Sequence, residues 1–264
     1  MPAPPVHVGP AHSVGPFRIR RIDYAPGLRQ PAHAHEGASL TLLLAGEIRE
    51  TTGQREETGS ALSVVVKPPD VRHADEVGPR GARTLQVAFG PATVEELREH
   101  GAAPERWFWL HGGCGASLLL ELAEALHEGS RPASELEDRV IEALGGVRNR
   151  SDIRENDDSV WLRRVKEAIE DDPFGELSVR DLAHLVGAHP VSVSRAFRRA
   201  FGVTITEHRR RTRLRRAAAH ITAGRDSLSG AAHATGYADH PHMCREFQVL
   251  AGLSPSALRR LAAG

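Results

Sequence analysis

The sequence predicts an α+β chain of two domains: a β-rich N-terminal half with flanking helices, then an all-α C-terminal half. Three observations predict it. Residues 17–89 hold short apolar runs separated by turn signals, the pattern of an all-β sandwich or barrel. From Pro91 onward the apolar residues recur at the helical period. Near the C-terminus one pattern of helix, glycine turn and helix occurs twice. A length of 264 residues accommodates two domains, each with its own core.

The elements follow in order. Residues 1–16 are rich in Pro and Gly, carry no Lys or Arg and lack an apolar centre, so they do not read as a secretory leader. Strands are expected at 17–23, 40–51, 61–66 and 84–89, with turns at Pro26-Gly27, Thr52-Gly53, Pro68-Pro69-Asp70 and Gly78-Pro79. A short helix is expected at 94–100. A second, at 116–127, puts Leu118, Leu119, Leu122 and Leu126 on one face. A third, at 134–144, does the same with Leu136, Val140, Ile141 and Leu144. These helices are expected to cover the β domain or a second subunit. The polar stretch 146–159 reads as a linker between a domain at 15–145 and one at 160–262. Helix resumes at 161–169 and is ended by Asp171-Asp172-Pro173.

Charge separates the halves. Residues 161–264 hold 17 Lys+Arg against 10 Asp+Glu, whereas residues 1–160 hold 17 against 24. A basic half favours contact with a phosphate backbone through Coulomb attraction and counterion release. Two cysteines, Cys114 and Cys244, make no disulfide framework, and no apolar run is long enough for a membrane span. The expectation is a soluble cytoplasmic protein.

The first copy of the repeat contains Ala183-His184, Gly187, Arg195, Phe197, Gly202 and Arg209-Arg210. The second contains Ala232-His233, Gly236, Arg245, Phe247, Gly252 and Arg259-Arg260. In the first, Ser178 and Asp181 form a capping box, Gly187 supplies the sharp turn, and Pro190 opens the next helix. That helix turns Val193, Ala196, Phe197 and Ala200 inward and Val191, Ser192, Ser194, Arg195, Arg198 and Arg199 outward. In the second, residues 229–235 support and residues 239–250 carry the outer face, with Met243, Phe247 and Leu250 inward and His240, Cys244, Arg245 and Gln248 outward. The segment 207–222 joins the copies as a helix with an apolar stripe of Leu214, Ala217, Ala218 and Ile221. A helix joined through Gly to a second helix with a basic outer face is a helix-turn-helix. His184 and His233 are expected to pack or to bond the backbone, and Cys244 to be a small, partly buried residue.

The stretch from Gly236 to Phe247 (GYADHPHMCREF), followed by Gly252-Leu253-Ser254-Pro255, resembles the signature of AraC/XylS-type transcription regulators. The resemblance covers about residues 160–262. It implies two recognition helices in successive major grooves of promoter DNA. By position, Val191, Ser194 and Arg195 would face bases in one groove, and His240, Cys244 and Arg245 in the next. Arg198, Arg199 and Arg209 would meet phosphates. It also implies contact with RNA polymerase, and activation and repression are equally compatible with the residues. The second outer face departs from the first in offering Pro241, Cys244 and Gln248 rather than a basic cluster. The alternative for Arg195 and Arg245 is an ion pair that closes the fold.

The N-terminal half carries Gly27, His33-Ala34-His35, Ser39 and Gly46, then Pro68-Pro69-Asp70-Val71-Arg72-His73. These resemble the two motifs of the cupin barrel, with Ser39 where a Glu is usual. His33 and His35 are two apart, so on a strand they share a face, and His73 would join them across the barrel. Three imidazoles suit a transition metal such as Zn, Ni or Fe, with water, an effector or Glu36 as the fourth ligand. The alternative is a metal-free pocket or rim on an inherited fold.

The whole reads as a DNA-binding transcription regulator, not an enzyme. Its N-terminal cupin-like domain is expected to sense a small ligand and to form a homodimer. Two alternatives are a metal-sensing regulator using His33, His35 and His73, and a cupin enzyme fused to a DNA-binding module. No glycine-rich phosphate loop or nucleophile elbow appears.

Overall fold

The computed structural model describes residues 5–129, 131–151, 160–172, 174–224 and 226–263. The N-terminal half contains strands β1 (Val6–Val14), β2 (Phe17–Tyr24), β3 (Arg29–His33), β4 (Ala38–Thr52), β5 (Arg55–Ser60), β6 (Ser63–Lys67) and β7 (His73–Phe89). Helix α1 (Pro91–Glu99), strand β8 (Phe108–His111) and helices α2 (Cys114–Glu128) and α3 (Ala133–Ser151) follow. The strands form one antiparallel sheet in the order β1-β2-β7-β4-β6-β8, with β3 added to β7 and β5 to β4.

Strands β4 and β7 are long because each serves two sets of partners. The first part of β4 pairs with β6 and its last part with β5; β7 pairs first with β3 and then with β2. Their shared ladder bends near Gly46, whose φ is 80° and whose absent Cβ leaves room for the Gly81 carbonyl. Only glycine accepts both conditions cheaply. Gly78-Pro79, expected to be a turn between strands, lies inside β7 instead. It falls in an excursion of residues 78–81 that skips pairing with β4, which bends the strand without ending it.

Alternation along the strands explains their apolar runs. On β4, Leu40, Leu42 and Leu44 face the helices while Thr41 and Leu43 face the interior; on β6, Val64 and Val66 face out and Val65 and Lys67 face in. Seven strands line one interior cavity of about 190 Å³, so the sheet closes into a barrel. Strands β1, β3, β5 and β8 were not expected. Strands β3 and β5 are polar, β8 has only four residues (Phe108-Trp109-Leu110-His111), and β1 carries Pro10 at a register break, which an edge strand tolerates. The barrel therefore begins before residue 15.

The C-terminal half is helical: α4 (Val160–Asp171), α5 (Val179–Leu185), α6 (Pro190–Phe201), α7 (Ile205–Ala223), α8 (Leu228–Ala234), α9 (His240–Ala251) and α10 (Pro255–Ala263). The expected linker is shorter than its composition suggested. Helix α3 runs on to Ser151 through both glycines, and the rest of the linker, 152–159, lies outside the described residues.

The apolar cores do not divide where the sequence does. One continuous cluster runs from the outer face of the barrel through α2 and α3 into α7, α8, α9 and α10. A separate cluster holds α4, α5 and α6 together with Ile205. Helices α2, α7 and α10 form the joint: α2 packs against the barrel on one side and against α9 and α10 on the other, and α7 and α10 also pack directly on β4. Of the apolar face expected on α3, Leu136, Val140 and Leu144 are buried, but Ile141 is 54% exposed.

Candidate DNA interface and barrel site

The two helix-turn-helix units are built alike. Helices α5 and α8 each have seven residues, and α6 and α9 each have twelve. Ser178 and Asp181 form the expected capping box on α5, and Ser227 caps α8 by accepting from the Gly230 N–H. Gly187 (φ 66°) and Gly236 (φ 78°) make the turns in the left-handed region. Helix α6 begins with Pro190 after the His189 cap, and α9 follows Asp239, whose carboxylate accepts from the His242 N–H at 2.6 Å.

The trailing Gly-Leu-Ser-Pro has a local reason. Gly252 (φ 74°) ends α9, Leu253 is buried, Ser254 Oγ accepts from the Ala257 N–H at 3.2 Å, and Pro255 starts α10.

Phe197 and Phe247 are fully buried at matching positions, so the faces opposite them are presented outward. Val191, Ser194, Arg195, Arg198 and Arg199 on α6 are all exposed, as is Arg245 on α9. Neither Arg195 nor Arg245 forms an ion pair among the described residues, so the fold-closing alternative has no partner in this structure. His240 and Cys244 are half-buried and touch, Nε2 to Sγ at 3.3 Å, a pairing one helical turn apart that the sequence reading overlooked.

Arg209 is engaged elsewhere. It is partly buried and donates to the Leu177 carbonyl, which pins the loop before α5 onto α7. His184 and His233, expected to pack, are exposed on their support helices.

The histidines of the barrel do come together, by a different route from the one expected. His33 and His73 are cross-strand partners on the adjacent strands β3 and β7, not residues reaching across the barrel. Their ring centroids are 4.4 Å apart, and His35, just beyond the end of β3, lies 4.9 Å from His33 and 5.4 Å from His73. His33 Nδ1 donates to the Pro31 carbonyl and His73 Nδ1 to the Val71 carbonyl, both at 2.9 Å. That fixes the neutral tautomer and leaves each Nε2 lone pair free toward the cluster. Burial and the Lys67 charge push the His73 pKa down to about 4.

The carboxylate beside them is Asp75 rather than Glu36, which is exposed. Asp75 Oδ2 lies 3.9 Å from both His33 Nε2 and His73 Nε2. The sequence held the clue, since Asp75 follows His73 by two residues and strand alternation puts both on one face. Further in, Lys67 is paired with Glu50, and the Trp107 indole N–H donates to Glu50 Oε2 at 2.9 Å. Burial works against the Lys67 charge, but Glu50 and Asp75 outweigh it and hold its pKa above the ordinary lysine value. Arg20 and Gln86 bond at 2.8 Å on the cavity wall. Asp75 Oδ1, His73 Nε2, Thr41 Oγ1 and Trp109 Nε1 are buried without a hydrogen-bond partner. Buried polar atoms are rarely left so, and these four give the cavity wall unused hydrogen-bonding capacity.

Comparison with known proteins agrees with the helical half. Residues 182–261 match the family model described as a helix-turn-helix domain. No curated protein matches the chain. Among solved structures, ToxT from Vibrio cholerae O395 is 10% identical, with 94% of this chain and 99% of that chain covered and a TM-score of 0.41. A cupin superfamily protein from Desulfitobacterium hafniense DCB-2 is 21% identical over 32% of this chain and 77% of its own, with a TM-score of 0.29. A protein of unknown function from Rhizobium leguminosarum bv. viciae 3841 is 20% identical over 33% of this chain and 85% of its own, with a TM-score of 0.31. The architecture above rests on the chain's own strand pairing and helix order.

Proposed function

We propose that the chain is a sequence-specific DNA-binding transcription regulator, not an enzyme, and that its barrel senses a small ligand; the match of residues 182–261 to a helix-turn-helix domain supports the first part. The observation that carries it is the pair of equivalent helices, α6 and α9, with Arg195 and Arg245 exposed at matching positions and opposite the buried Phe197 and Phe247. A guanidinium held this way clamps guanine O6 and N7. In this reading Val191, Ser194 and Arg195 face bases in one major groove, His240, Cys244 and Arg245 face the next, and Arg198 and Arg199 meet phosphates. Arg209 joins the phosphate set only through what its bond to Leu177 leaves free. RNA polymerase and a second copy of the chain are its protein partners, the latter through α3 and the exposed Ile141. Among the described residues no helix is long and apolar enough to cross a membrane, and a DNA partner places the protein in the cytoplasm.

Selection of bound duplexes from a random-sequence pool tests this. A reproducible motif with two half-sites one helical turn apart is expected. Enrichment of no motif by a folded protein would refute it.

One observation favours a second reading, that the barrel's ligand is or includes a transition metal. The Nδ1 bonds of His33 and His73 leave their Nε2 lone pairs free beside His35, and His73 also lies in a second possible set with Glu50 and Asp75; imidazoles and carboxylates of this kind suit Zn, Ni or Fe. A bound ion would supply a positive charge and open coordination positions for an anionic or hydroxylated effector. Elemental analysis of tag-free protein, with a His33→Ala/His73→Ala control, checks it. Absence of stoichiometric metal and of uptake would remove it.

A further inference from the structure

Resting on that reading of the barrel and of α6, we infer that strand β8 carries the state of the barrel cavity to the first helix-turn-helix unit through a partly exposed polar latch. In the latch Glu57 and His111 of the barrel face Lys166, Glu170 and Arg215 of the DNA-binding half.

The division of the cores makes this contact matter. The second unit is fused to the barrel by apolar packing through α2, α7 and α10, whereas α4, α5 and α6 keep a core of their own. Between that core and the barrel lies a cleft of about 900 Å³, lined by charged residues from β5, α4 and α7. A polar interface of this kind is cheaper to open than a shared apolar core.

The barrel side is an ordered relay. Ser63 Oγ accepts from the Ser60 N–H at 3.1 Å and donates to His111 Nδ1 at 3.0 Å, and His111 Nε2 donates to Glu57 Oε1 at 2.9 Å. Ser63 is fully buried, so the row positions Glu57 and offers no nucleophile. Opposite it, Glu170 Oε1 lies 3.3 Å from His208 Nε2, 3.7 Å from Arg215 Nη2 and 4.0 Å from Lys166 Nζ. Burial keeps His111 and His208 neutral. Across the cleft Glu57 and Glu170 thus stand among the Lys166 and Arg215 cations, with Arg55, Glu56 and Arg163 also on its lining. Arg215 Nε is buried without a partner, so that side retains unspent hydrogen-bonding capacity.

Strand β8 touches both places. Trp109 lines the cavity with its orphaned Nε1, and its ring lies parallel to that of His111. Trp107, just before β8, bonds Glu50 in the barrel and also lines the cleft. The Trp109 ring occupies the space where Gly59 of β5 would carry a Cβ, so β5, which holds Glu57, follows any shift of β8. A ligand that accepts the Trp109 hydrogen bond would thereby move the Glu57–His111 pair relative to α4 and α7.

Amide hydrogen exchange on the full chain tests the latch, comparing wild type with Glu57→Gln, Lys166→Gln and Trp109→Phe. In Glu57→Gln and Lys166→Gln, amides of α4 and β8 should exchange on the order of tenfold faster while those of α9 and α10 stay unchanged. Trp109→Phe should alter α4 exchange severalfold, although Trp109 lines the cavity and not the cleft. Lys166→Gln leaves the barrel intact and decides the latch if Glu57→Gln does not fold; Trp107→Phe stands in for Trp109→Phe in the same way. Wild-type α4 exchange in folded Lys166→Gln, or in a folded β8 variant, would overturn the inference. Duplex selection with the same wild-type sample keeps the two questions apart, because failure to bind DNA sinks the regulator reading without touching the exchange result.

Discussion

Arg210 and Glu246 form a two-point salt bridge, Nε to Oε2 at 3.0 Å and Nη2 to Oε1 at 2.9 Å, that ties the long helix α7 to α9, the second helix of the second helix-turn-helix unit. Glu246 belongs to the signature stretch, so part of that signature serves to aim a helix. Glu246→Gln should lower stability by about 1 kcal/mol, since the pair is partly exposed, and the melting temperature by roughly 2–4 °C. It should weaken DNA binding by more than that loss explains. Calorimetry and a binding isotherm on one preparation check both, and unchanged affinity would show that the bridge does not orient α9.

Arg195→Ala and Arg245→Ala should each weaken binding to the selected site by about 1–3 kcal/mol and relax the preference at one base pair. Melting should not change, because both side chains are exposed and unpaired. Arg198→Ala and Arg199→Ala should instead weaken all duplexes alike, each lowering the slope of log K against log salt by about 1. Base-specific loss from Arg198→Ala would move that residue from the phosphates to the bases.

Phe197→Ala and Phe247→Ala each remove a fully buried ring, at a cost of about 3–5 kcal/mol. Their reach should differ. Phe247 shares its core with the barrel, so its loss should increase exchange in α2 as well as in α9; Phe197 lies in the smaller cluster, and its effect should end at α4, α5 and α6. Equal spreading from both sites would mean that the two clusters unfold as one.

Acid should loosen the contact of α4 with α7. Burial pushes the Glu170 carboxyl up, but the His208 hydrogen bond and the Lys166 and Arg215 charges outweigh it and hold its pKa at about 2, below the ordinary 4.5. A depressed carboxylate contributes stability in full above its unfolded pKa and loses it as pH falls toward the folded value. Stability should therefore decline between pH 4.5 and 2, and Glu170→Gln should flatten that part of the curve. An unaltered profile in the variant would assign the acid sensitivity to other carboxylates.

The two halves were unequally legible. The capping box, the turn glycines, the helical period and the Gly-Leu-Ser-Pro all act within a few residues, and α4, α6, α7, α8 and α9 formed within about two residues of where the sequence placed them. In the barrel the apolar strands were legible, because burial on two faces leaves near-continuous apolar runs. The edge strands β1, β3, β5 and β8 were not, because short, polar or proline-broken sequence becomes strand only when a neighbour offers a ladder. The same holds for the site: His33, His35 and His73 could be picked by type, yet Asp75, Lys67 and Glu50 join them through the register of β3, β4, β6 and β7.

By itself, then, the sequence determined the tandem helix-turn-helix, its outward arginines and the presence of a histidine-bearing β domain, since local periodicity and capping specify helices from short-range interactions. Only the tertiary structure decided that Asp75 lies beside His33 and His73, that the second helix-turn-helix unit shares a core with the barrel, and that the first meets it across a charged cleft. Those relationships depend on which residues distant in sequence are brought into register, and composition and spacing carry no information about that pairing.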